Sequence, residues 1–179
     1  RGNAIVFLAS ILDALQNSTD CRVVSMQGGD KHNAIPREAF ATVLISPEAM
    51  ADAQIIVSKR EQGLNKEFGS KEKNLKISFA GLDDSPEKTL TEESQTALVG
   101  LLRTIPHGVL KYSHDVEGLV ETSNNLAAVR CDGGNYIIIS STRSSISDAL
   151  ESQRERIAIM SKVYGAKVEQ DEAYPGWAP

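Results

Sequence analysis

Gly28-Gly29-Asp30-Lys31-His32-Asn33-Ala34-Ile35-Pro36-Arg37-Glu38-Ala39 is the stretch on which the reading of this chain turns. It is a polar turn led by two glycines, and it feeds an apolar run, Phe40-Ala41-Thr42-Val43-Leu44-Ile45. Adjacent glycines let the backbone reverse through positive φ. Pro36 has no N–H to give, which suits a sheet edge, a bulge or a strand start. Upstream, Cys21-Arg22-Val23-Val24-Ser25-Met26 reads as a strand, so residues 38–45 become its antiparallel partner across the turn. His32 and Asn33 then stand at a strand mouth, where binding side chains sit on a rigid support. An ordinary hairpin connection accounts for the same residues.

Helices flank this strand pair. In residues 3–15, Ile5, Leu8, Ala9, Leu12 and Leu15 fall on one stripe at helical spacing. After the pair, Ser46-Pro47-Glu48 is a helix start: Ser46 caps, Pro47 suits the first position and Glu48 opposes the dipole. That helix carries Met50, Ile56, Leu64 and Phe68, and Gly69 closes it. Leu75-Lys76-Ile77-Ser78-Phe79 alternates like a strand, and residues 81–88 read as a linker.

A similar order recurs beyond the linker. Thr89 and Glu92 fit a capping box for a helix burying Leu98, Leu101, Leu102 and Ile105, stopped by Pro106. Residues 116–121 read as a strand and Thr122-Ser123-Asn124-Asn125 as a polar break. Strands at 126–130 and 136–140 are joined by Cys131-Asp132-Gly133-Gly134-Asn135, a hairpin signal. Ser145 and Asp148 cap a last helix with Ile146, Leu150, Ile157, Met160 and Tyr164 on one stripe. Gly165 ends it, and Lys167-Val168-Glu169 starts a short strand. The chain is therefore expected to form an α+β fold, a two-layer sandwich with a largely antiparallel sheet and helices on one face. Its half-repeats span about residues 1–82 and 89–172, and residues 32–35 correspond to 124–126.

Composition narrows the function. Hydrophobic residues make 41% and charged residues 24%, and the net charge of −5 speaks against a nucleic-acid-binding face. Aromatics at 5% speak against a base-stacking surface. No apolar run approaches the roughly 20 residues of a membrane span. Two isolated cysteines, Cys21 and Cys131, suit a reduced, cytoplasmic setting. His32, His107 and His114 lack metal-ligand spacing, so no metal is expected on this chain itself. Arg1 opens directly onto a helical pattern, and Tyr174-Pro175-Gly176-Trp177 reads as a linker with an aromatic anchor. Both ends suggest an excerpt from a longer chain.

Three side chains are candidate ligand contacts. Asn33 supplies neutral donors suited to a substrate carbonyl or oxyanion, although an Asx-turn uses the same atoms. His32 can donate and can change protonation near neutral pH, or simply stand in solvent. Arg143, among Ser140, Ser141, Thr142, Ser144 and Ser145, can hold a carboxylate in bidentate fashion, or face water. Arg37 and Arg130 are weaker candidates, and His107 and His114 receive no role. Gly133-Gly134 lacks the surroundings of a phosphate loop. No Ser/His/Asp or Cys/His nucleophile set stands out.

Residues 29–39, with their Asn-x-Ile-Pro core, resemble a segment of the di-zinc aminoacylase and carboxypeptidase-G-like metallopeptidases, in particular the aminoacyl-histidine dipeptidase type. Arg1-Gly2-Asn3-Ala4, Glu121-Thr122-Ser123-Asn124-Asn125-Leu126, Ser141-Thr142-Arg143-Ser144-Ser145 and Tyr174-Pro175-Gly176-Trp177 extend the resemblance over the whole chain, in order. It implies a lid domain inserted in a zinc-binding catalytic domain, built as two tandem ferredoxin-like halves sharing a sheet. Residues 173–179 would lead back to that catalytic domain. It implies two zinc ions and a catalytic Glu outside this chain, leaving the chain inert alone. Asn33 matches the lid asparagine that approaches the substrate, and Arg143 the lid arginine that holds its C-terminal carboxylate. His32 is only adjacent to the motif. The parent activity implied is hydrolysis of Xaa-His dipeptides such as carnosine. Single-half lids make a homodimer; a doubled lid can mimic that dimer internally. Two other readings remain open here: an amino-acid-sensing regulatory module and a purely structural dimerisation domain.

Overall fold

The computed structural model describes residues 1–83, 86 and 88–172. The elements are α1 (Ala4–Ser18), β1 (Arg22–Gly28), β2 (Ala39–Leu44), α2 (Met50–Phe68), α3 (Glu92–Thr104), β3 (Gly108–Tyr112), β4 (Val120–Asp132), β5 (Asn135–Ser144) and α4 (Ser147–Val163). The expected aromatic anchor Trp177 and the linker at 173–179 lie outside the described residues, as do Asp84 and Ser85 of the expected mid-chain linker.

Asn3 starts α1: its Oδ1 accepts the N–H groups of Ile5 and Val6 at 2.9 and 3.2 Å. Ile5, Ala9, Leu12 and Leu15 then bury one stripe of the helix. A single 3-10 turn, Pro47–Ala49, leads into α2, with Ser46 Oγ accepting from the Ala49 N–H. The buried residues of α2 are Ala53 and Val57, whereas Met50 is exposed. Of the large apolar residues read from the sequence, Ile56 packs against this core and Phe68 against Phe7, while Leu64 is half-buried. Helix α3 is capped by Thr91, not Thr89, through a bond from the Ser94 N–H. It buries Leu98, Leu101 and Leu102 as expected, with Ile105 buried just beyond its end, and it buries Val99 and Gln95 as well. Helix α4 starts without a side-chain cap; Leu150 is buried while Ile146 is exposed.

The sheet is antiparallel throughout, in the order β2-β1-β4-β3, with β5 pairing β4 along its other edge. β1 and β3 therefore share one edge of β4. β3 covers its first residues, and β1 meets it at Gly28–Val129. Helix α1 packs on β1, β2 and β4, α3 packs on β1 and α1, and α4 packs on β5 and α3. The α+β, two-layer reading holds. The main core joins Ile5, Leu12, Met26, Val99, Leu102, Leu126 and Val129. Each fully buried side chain of that size contributes on the order of 1.5–3 kcal/mol.

Four local expectations change. Residues 122–125 are no break: they continue β4, with Thr122 bonded to Ser144 and Asn124 to Ser140 and Thr142 across the ladder to β5. The correspondence of 32–35 with 124–126 fails for the same reason, since one is a turn and the other mid-strand. β3 has no counterpart among the strands expected from the sequence. Its side chains are mostly exposed, so it carries no clean alternation. The strands expected at 75–79 and 167–169 are outside the sheet. The Ile77 N–H donates to Glu61 Oε1 at 2.9 Å instead of to a neighbouring strand, while Ile77 and Phe79 pack on Ile11, Leu15 and Val57. Residues after α4 are tied to that helix by bonds from Gln170 to Arg154 O and from Arg154 to Asp171 O.

Candidate functional site

The glycine-led turn is strapped down at three points. Gly29 has φ +66°, and a Cβ there would lie 2.0 Å from Ala127 O. Only glycine lets the turn leave β1 this close to β4. Ala34 O accepts from Asn125 Nδ2 at 2.7 Å. Pro36 is buried, and its carbonyl accepts the Ala4 N–H at 3.0 Å. Between these anchors Asp30 to Ile35 are exposed. His32 and Asn33 project from a turn whose ends are fixed, and neither side chain makes a hydrogen bond among the described residues.

The β4–β5 ladder decides where Arg143 stands. Asn124 is buried on the helix side: its Nδ2 donates to Pro106 O at 2.6 Å and Ser140 Oγ at 2.9 Å, and its Oδ1 accepts from Thr142 Oγ1 at 2.8 Å. Side chains alternate between faces, so Ser123 and Asn125 point the other way. Arg143 pairs with Ser123, and Ser141 with Asn125. Arg143 is thus the diagonal neighbour of Asn125 on one face, roughly 7–8 Å apart in such a ladder. It is exposed, and none of the ion pairs among the described residues includes it. Asn125 therefore links the two regions: one hydrogen bond to the turn carrying Asn33, one strand step from the arginine. Arg37 and Arg130 are also exposed, but no contact brings them to this point.

Beneath the turn lies a polar brace. Asn3 Nδ2 donates to Leu126 O at 2.8 Å and meets His107 Nδ1 at 3.2 Å. The Leu126 N–H also points at His107 Nδ1, at 3.4 Å. Nδ1 serves as the acceptor here, so the ring is neutral. Burial holds His107 below the usual histidine range. Elsewhere, Lys111 Nζ lies 2.9 Å from Glu121 Oε1, and that hydrogen bond leads the effects lowering the Glu121 carboxyl. Burial, reinforced by Asp20, raises the Cys21 thiol to about 11, so it is no nucleophile at neutral pH. A surface pocket of about 360 Å³ beside Phe7, Phe68 and His107 contains none of His32, Asn33 and Arg143. Among the described residues no group of three or more His, Cys, Asp or Glu side chains could hold a metal ion, and no helix is long and apolar enough to cross a membrane.

Residues 1–72 match the peptidase dimerisation domain family. The chain is 33% identical over 178 residues to the cytosol non-specific dipeptidase of Escherichia coli (strain K12), covering 99% of this chain and 36% of that protein. The crystal structure of aminoacylhistidine dipeptidase from Vibrio alginolyticus matches with a TM-score of 0.94 and 29% identity, over 100% of this chain and 36% of that one. The chain thus spans little more than a third of the relatives it matches.

Asn125 and the Asn3–His107 brace were not singled out from the sequence as functional parts. Asn3 carried a signal, since an asparagine just before an apolar helical stripe is an N-cap. Asn125 carried none by itself, because its role depends on β4 running unbroken past the turn.

Proposed function

We propose that this chain is the substrate-clamping lid of a metallo-dipeptidase acting on short peptides with a free carboxylate, Xaa-His dipeptides such as carnosine among them. The observation that carries the reading is Asn125, whose amide ties the Asn33 turn to the sheet face that bears Arg143. Asn33 offers a neutral N–H to a peptide oxygen, and Arg143 a planar guanidinium to the carboxylate. His32, on the same turn, is the third contact. Two such groups on fixed backbone set the length and orientation of a bound dipeptide. No metal site forms among the described residues, and the zinc ions implied by the resemblance would be held by the remainder of a longer parent, leaving the chain alone inert. The likeness to two dipeptidases supports this reading. So does the match of residues 1–72, which is close in extent to the first proposed half. A cytosolic parent, and self-association through the same segment, belong to the proposal; sedimentation of the parent tests the latter.

The test uses the full-length parent. Arg143→Ala should raise KM for β-alanyl-histidine by about 100-fold, the loss of a charge-assisted pair of roughly 1.5–3 kcal/mol. It should affect a C-terminally amidated substrate far less. Asn33→Ala should lower kcat/KM with folding intact by circular dichroism. Parent-like hydrolysis by both variants would remove the proposed clamp.

A further inference from the structure

Asn125 is half-buried in the middle of β4, on the face away from the helices. Its Nδ2 donates to Ala34 O at 2.7 Å, one residue from Asn33. Its Oδ1 is buried and has no partner among the described residues. The Ala34 carbonyl fixes which way the amide points, because the flipped amide would set two oxygens 2.7 Å apart. An orphaned buried acceptor of this kind is unfavourable, so this asparagine does not satisfy its own groups. Unfavourable local choices of that sort are expected where a residue serves a site.

We propose that Asn125 is a positioning residue for Asn33. This rests on the clamp reading above. Gly29 and Pro36 fix the two ends of the turn, but the bond to Ala34 is what holds its tip. Without it, six exposed residues would carry Asn33 on a loop free to swing, and the donor would lose its placement against the substrate. An asparagine suits the task because its donor does not titrate. An aspartate would meet the Ala34 carbonyl as an acceptor when ionised, and would regain a donor only when protonated.

The test compares Asn33→Ala, Asn125→Ala, Asn125→Asp and the Asn33→Ala/Asn125→Ala double variant in the full-length parent, assayed on β-alanyl-histidine with melting midpoints recorded. Asn125→Ala should lower kcat/KM about tenfold, the effect of one hydrogen bond. The double variant should be no worse than Asn33→Ala, because Asn125 acts only through Asn33. Asn125→Asp should gain activity relative to the parent as the pH is lowered from 8 to 5, a change that a packing role would not produce. If Asn33→Ala is impaired but Asn125→Ala is not, the positioning role falls and the clamp survives. Multiplied losses in the double variant overturn the positioning role as well. If Asn33→Ala hydrolyses like the parent, the clamp reading itself falls.

Discussion

Two glycine-led turns join antiparallel strands in this chain, and they are built on opposite plans. The turn between β4 and β5 closes on itself: Asp132 and Asn135 are the last ladder pair, and Gly133 and Gly134 take φ +56° and +84° with open space around them. Such a two-residue turn needs only local geometry. The turn between β1 and β2 is longer and depends on distant parts of the chain. Gly29 abuts Ala127, Ala34 is held by Asn125, and Pro36 receives the Ala4 N–H. The first plan yields a connection. The second holds exposed polar side chains on an anchored frame, and that is where Asn33 and His32 stand.

Matched substitutions should break this comparison most sharply. Gly29→Ala must place a Cβ 2.0 Å from Ala127 O at positive φ, and should cost about 3 kcal/mol or more of unfolding free energy in urea. Gly133→Ala meets only the intrinsic left-handed penalty of about 1–2 kcal/mol. Equal costs would show that the β1–β2 turn is also a local device. Asn3→Ala comes next. It removes the α1 cap and leaves Leu126 O without its side-chain donor, a loss of about 2 kcal/mol, with exchange of the Ala4 amide rising if the root of the turn depends on it.

The smallest effect is one of pH. His107 is held neutral, so its folded value lies below the ordinary 6.5. The unfolded chain then binds the extra proton first, and stability rises with pH in that interval. The contribution is complete above 6.5 and is lost as the pH falls through the lower folded value. A melting series from pH 7.5 to 5 should show this decline, and His107→Gln should flatten it. Glu121 does not interfere, because its lowered carboxyl loses its share only from about 4.5 downward. A pH-independent melting point in the parent chain would show that His107 does not brace β4.

How much of this the sequence could reveal follows from range. The apolar stripes of α1 and α3, the Gly133-Gly134 hairpin and the β1–β2 pair are carried by neighbouring residues, and they were legible. The polar, exposed character of the β1–β2 turn was legible as well. What was hidden depends on contacts between distant residues. Thr122 to Asn125 look like a break because they are polar, yet Asn124 is satisfied by Ser140 and Thr142 across the ladder. Ile77 looks like a strand residue because it alternates, yet its N–H is taken by Glu61. Asn125 gained its meaning only once β4 was seen to pass beneath the turn.

The joint between β1 and β4 has a mechanical consequence. These strands share one registered pair, Gly28–Val129, and toward its start β1 is met by side chains and loop instead. Gln95 accepts from the Val23 N–H and donates to Cys21 O, and the Leu90 N–H donates to Val23 O. The sheet therefore has a seam down its middle, stitched by an amide where a ladder would run. Rigidity across that seam comes from α1, which lies over β1, β2 and β4 together. The Asn33 turn and the Arg143 strand stand on opposite sides of the seam, so the spacing between them is set by helix packing and by Asn125 rather than by a continuous ribbon of strands.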